Sequence, residues 1–188
     1  MVNNYTLMEE VLSQPEKIEQ YVNHPDWRVR YAAAVAMGET KDEKWIDTLL
    51  AMLKYEDTRS LYTQPAVLGF ENSYDDTRMA EQLVPIKEIF DRDYSEELKE
   101  DWRCRGRVKH ACLFAIRDIG KVSDELLAYM HTILQKPGED YAVCAATARA
   151  LGYVGHKGSI PYLEKALQID EWCVQTEAKK AIRRIKGE

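Results

Sequence analysis

A Val-headed pattern of small and apolar residues recurs along this chain. It runs Val29 with Ala32, Ala33, Ala36 and Met37, then Val108 with Ala111, Cys112, Ala115 and Ile116, then Val143 with Ala146, Thr147, Ala150 and Leu151. A worn copy follows, Val174 with Ala178, Ala181 and Ile182. Apolar positions three, four, seven and eight residues beyond the head form one stripe of an α-helix, and the alanines within it let a second helix come close. Repetition of such a unit predicts a stack of similar helices, each too small to bury its own apolar face alone.

Second stripes lie between these heads: Ile18, Tyr21 and Val22; Ile46, Leu49, Leu50 and Leu53; Leu83, Ile86, Ile89 and Phe90; Leu126, Leu127, Met130, Ile133 and Leu134; Leu163 and Leu167. Each unit therefore reads as an antiparallel helix pair with the Val-headed helix first. Capping-box spacing in Ser13 with Glu16 and Thr40 with Glu43, and Pro161 just behind Ser159, mark starts, while Gly38, Gly152 and Pro137-Gly138 are expected to mark ends. Heads follow the preceding stripe by 7 residues at Val29 and Val174. The same step from Leu53 leads to Ser60, after which Val67, Leu68 and Gly69 stand where Ala36, Met37 and Gly38 stand in the first copy, so a degenerate central unit interrupted by Pro65 is expected there. Excess spacing places insertions near 70–79 and 91–105 around it, the second including a short helix near 95–102.

Composition narrows the function classes. The 188 residues are 45% hydrophobic, enough for one continuous solenoid over 1–188. No segment has the length and apolarity of a membrane span, and the opening Met1-Val2-Asn3-Asn4-Tyr5 lacks the order of a secretory signal, so a cytoplasmic protein is expected. A formal charge of −6 opposes general affinity for nucleic acid. Cys104, Cys112, Cys144 and Cys173 form no CxxC pair and read as reduced structural thiols, and the four histidines are isolated, so no metal or cofactor is expected. The acids Glu71, Asp75, Asp76, Glu81, Asp91 and Asp93 lack the order of a calcium loop.

The units resemble HEAT repeats, specifically the short type of the phycobilisome-lyase-like group, in which Asp, an aromatic, Val-Arg and small residues close on Ala-Leu-Gly. His24 to Gly38 is similar to a nearly complete copy, Asp140 to Gly152 lacks the Arg, and the last copy replaces it with Gln175. The resemblance implies an all-α, right-handed α-α superhelix of about five helix pairs preceded by one helix near Tyr5 to Ser13, with a polar last helix as cap. It also implies that Arg30 pairs with a turn acid such as Asp26. The recurrent aromatics Trp27, Tyr141 and Trp172 are expected to pack against neighbouring units.

Function is less constrained. Residues 71–101 hold eleven acids against four bases, and Arg103, Arg105, Arg107 and Lys109 follow at once. That basic run is either an exposed helix entry neutralised by the acidic insertion or a site for an anionic partner, and Tyr62, Tyr74, Trp102, Arg103, Arg105 and Arg107 are its candidate partner-binding residues. No nucleophile elbow, phosphate loop or dinucleotide fingerprint occurs, and no His is followed by Glu as in HEAT-type diiron hydroxylases. The expectation is a non-catalytic protein-interaction adaptor using its concave face and its central insertions. The alternative is an enzyme-associated HEAT protein, either a bilin-lyase-like subunit or a DNA alkylpurine glycosylase-like module.

Overall fold

A computed structural model describes residues 13–58 and 102–188. A short 3-10 helix, Pro15–Gln20, leads into α1 (Trp27–Thr40) and α2 (Ile46–Thr58); then come α3 (Trp102–Ile119), α4 (Asp124–Gln135), α5 (Tyr141–Val154), α6 (Ile160–Ala166) and α7 (Trp172–Lys186). The first helices of successive units form one row, α1 on α3, α3 on α5 and α5 on α7, and α2, α4 and α6 form a second row beside it. The chain is an all-α solenoid of stacked helix pairs. The heads Val29, Val108, Val143 and Val174 are all fully buried, as are the alanines seven places on, Ala36, Ala115, Ala150 and Ala181.

The joint between first helices is built from a glycine and an alanine. Gly38 and Gly152 do not end their helices as expected; each lies two residues inside, nine places beyond its Val head. A Cβ built on Gly38 would sit 2.8 Å from the backbone Cα of Ala115, and one on Gly152 would sit 2.7 Å from that of Ala181. Each glycine thus faces the alanine of the next first helix in the row. The ends fall twelve or thirteen places beyond the head, where Lys41, Gly155 and Gly187 take left-handed backbone conformations and Gly120 does the same after α3.

Helix starts follow the repeat. Asp26 accepts from the Arg28 amide at 2.9 Å, and Asp140 from the amides of Ala142 and Val143 at 2.8 and 3.2 Å. Pro161 opens α6 as expected. Asp42, not Thr40, is the cap of the turn before α2, and the Thr40 hydroxyl accepts the Asp42 amide at 3.3 Å and the Trp45 indole N–H at 3.0 Å. At the first 3-10 helix the cap position falls to Gln14, which makes no side-chain capping bond. Among the recurrent aromatics Trp27 is buried and Tyr141 half-buried, but Trp172 is 52% exposed. It opens a helix whose partners, α5 and α6, leave its other side uncovered.

One neighbour relation departs from the order of the repeats. A unit was expected between α2 and Val108, yet α3 is the direct neighbour of α1, and α2 also contacts α4. The expected central unit, the N-terminal helix near Tyr5 and the insertion near 70–79 lie outside the described residues. Of the second insertion, residues 102–105 are helical and extend α3 by one turn.

Cys112, Cys144 and Cys173 are buried and unbridged, and burial pushes the thiols of Cys112 and Cys144 far up. In a Cys104→Ser background the native protein is expected to give almost no reaction with a thiol-disulfide reagent, and full reaction after denaturation. Rapid native labelling would show that these helices do not pack as described.

Candidate functional site

Chemistry-bearing side chains gather where α2 and α4 end and α3 and α5 begin. The residue after each Val head points into this edge, and it is Arg30, Lys109, Cys144 or Gln175 along the row. Arg30 is fully buried. Its Nε donates to Glu56 Oε1 at 2.6 Å and Nη2 to Oε2 at 3.3 Å, while Nη1 donates to the carbonyls of His24 and Pro25 at 2.6 and 3.0 Å. Gln175 reproduces one of those bonds, donating at 2.9 Å to the carbonyl of Ile169, six residues back like His24. The expected Arg30–Asp26 pair is not formed, because Asp26 caps α1 and holds the Arg28 guanidinium at 2.6 Å.

Lys109 takes the Arg30 position in α3. It is 2% exposed, and its Nζ donates to Asp57 Oδ1 at 2.7 Å and to Glu139. Lys136 donates to Asp57 at 2.9 Å and lies 3.5 Å from Glu139, and the Tyr129 hydroxyl also donates to Asp57. The consecutive acids Glu56 and Asp57 at the end of α2 therefore serve two successive units, Arg30 in their own and Lys109 in the next. Sequence reasoning missed Lys109; its place one residue after a Val head, the same as that of Arg30, was the available signal.

This cluster is matched in charge and holds its protons firmly. Burial raises the Asp57 pKa, but Lys109, Tyr129 and Lys136 outweigh it and bring the value down to about 2. Burial and the adjoining Asp57 push Tyr129 far up, and Lys136 is raised because Asp57 and Glu139 overcome its own desolvation. None of these three is poised to exchange a proton near neutrality, so they lock one unit to the next. Because the folded pKa of Asp57 lies below its ordinary value, its contribution is complete above about pH 4 and fades as the pH falls through about 2, a loss of about 2 kcal/mol. Urea unfolding across that range should show this loss, and Asp57→Asn should flatten it.

On the second row, His131 stacks on Tyr162 at 3.9 Å between ring centres, and its Nε2 lies 2.9 Å from Ser159 Oγ. The pairing resembles a base and nucleophile, but Ser159 is fully buried and no substrate reaches its hydroxyl. Burial first, and His156 second, lower the His131 pKa, which keeps its ring neutral. Each second helix also carries one half-exposed tyrosine, Tyr55, Tyr129 and Tyr162. Cations lie over all three: Arg30 at 5.7 Å, Lys54 at 5.9 Å and Lys165 at 6.0 Å. No group of three or more His, Cys, Asp or Glu side chains suited to a metal ion occurs among the described residues.

Of the residues expected to contact a partner, Tyr62 and Tyr74 lie outside the described residues. Trp102, Arg103 and Arg105 fall on the opening turn of α3, and their side chains are outside the description. Arg107 lies in the packed base of α3 and is only 5% exposed.

A family model described as HEAT repeats matches residues 15–100. Over that segment the chain is similar to HEAT repeats. The matched segment ends before α3, and the same internal register of buried Val heads and alanines seven places on runs from α1 through α3, α5 and α7. Comparison with curated proteins and with solved structures gave no match.

Proposed function

We propose that this HEAT-like solenoid is a non-catalytic adaptor that binds another protein along its second helices, with residues 59–101 adding contacts of their own. The observation that carries this reading is the run of half-exposed tyrosines, one on each of the neighbouring helices α2, α4 and α6 and each beside a cation. Tyrosine offers a large amphipathic surface at low entropic cost and is enriched where proteins meet. The internally matched charges of the Asp57–Lys109 cluster fit a scaffold better than a reaction centre. The short phycobilisome-lyase-like type is the subtype whose Asp, aromatic and Val-Arg order the first unit follows, and a cytoplasmic setting suits the reduced buried thiols.

Affinity capture from the source cells, followed by mass spectrometry, tests the proposal with three proteins: wild type, Tyr55→Ser with Tyr162→Ser, and Arg103, Arg105 changed to Ser. Loss of the same partners from variants that melt normally supports the adaptor; identical recovery with all three overturns it. The glycosylase-like alternative would instead give duplex DNA binding that weakens steeply with salt.

A further inference from the structure

The first-helix row carries a surface of cations around an exposed tyrosine, apart from the tyrosines of the second helices. Tyr153 on α5 is 51% exposed, one of two large hydrophobic residues so exposed among the described residues. The Arg184 guanidinium of α7 lies 3.9 Å from its ring centre, and the Arg117 guanidinium of α3 lies 6.0 Å away. Three successive units thus place Arg, Tyr and Arg side by side. Residues 178–187 of α7 and its cap hold five cations and no acid, in a chain whose net charge is −6. Among the described residues Lys179, Arg183, Arg184 and Lys186 form no ion pair, whereas Arg117 has Asp118 at 2.6 Å and Lys180 has Glu177 at 2.8 Å.

We propose that Arg117, Tyr153 and Arg184 form a docking site for an acidic peptide segment of a partner protein. The Tyr153 ring beneath the exposed Arg184 guanidinium restrains that side chain, so less side-chain entropy is lost when a carboxylate binds it. The same stacking argues for carboxylates over nucleic acid. Arg184 occupies a face of the ring that a stacking base would need.

Fluorescence anisotropy with a labelled peptide of alternating Asp and Ser, at about 50 and about 200 mM salt, tests this. The wild-type protein should bind the peptide, more weakly at the higher salt. Arg184→Gln and Arg117→Gln should each weaken binding about tenfold, and Tyr153→Ala should do the same by releasing Arg184, with melting temperatures recorded for each. Lys44→Gln, an equal change of charge at an exposed lysine of the α1–α2 turn, should leave binding unchanged. Absence of wild-type binding overturns the proposal and leaves the α7 cations as partners of their own helix C-terminus. Equal losses with Lys44→Gln, or tighter binding of a labelled single-stranded oligonucleotide than of the peptide, overturn it as well.

Discussion

Replacing Arg30 with Met is expected to destabilise the protein by about 3–5 kcal/mol, measured by urea unfolding. The guanidinium and the Glu56 carboxylate it faces are 1% and 0% exposed, and the same guanidinium closes the turn before α1 through the carbonyls of His24 and Pro25. Methionine fills much of the volume but leaves the carboxylate buried without that counter-charge. Changing both partners, Arg30→Met with Glu56→Leu, should recover most of the loss, because neither member of the pair is then left buried without the other. A small effect from Arg30→Met alone would mean that Glu56 is not buried beside it.

Alanine at both Gly38 and Gly152 is expected to lower stability by about 1–3 kcal/mol per site, although alanine is the better helix former by about 1 kcal/mol. The new Cβ atoms would meet backbone Cα atoms of Ala115 and Ala181 at 2.8 and 2.7 Å, and backbone gives way only if whole helices move apart. The two sites lie in separate joints, α1 on α3 and α5 on α7, so their effects should add. Stabilisation by either substitution would show that propensity outweighs packing there and that the joint is looser than described.

Much of this fold is legible in the residues. The Val heads and their trailing alanines are buried as the helical period requires, and the Asp before each aromatic in α1 and α5 caps its helix. Glycine was ambiguous, because it serves both a helix end and a close approach; the ends lay at Gly155 and Gly187, and Gly38 and Gly152 were contacts. The partner of Arg30 was misread because Asp26 is near in sequence, while Glu56, 26 residues away, becomes near only when α2 folds back. Lys109 was passed over as a lysine in an arginine's place. Residue spacing also counts units along the chain and says nothing of which units touch, so the direct contact of α1 with α3 could not be read from it.

That contact is the centre of the account, since it makes the units before and after residues 59–101 neighbours in one stack. Lys54 on α2 and Glu125 on α4 lie 2.5 Å apart, both exposed, and are separated by 71 residues of chain. Zero-length carbodiimide coupling of the native protein, followed by mass spectrometry of its peptides, should recover a Lys54–Glu125 isopeptide bond that is absent when coupling is done in denaturant. Recovery of Lys54 joined only to acids within 59–101, with none joined to Glu125, would contradict it.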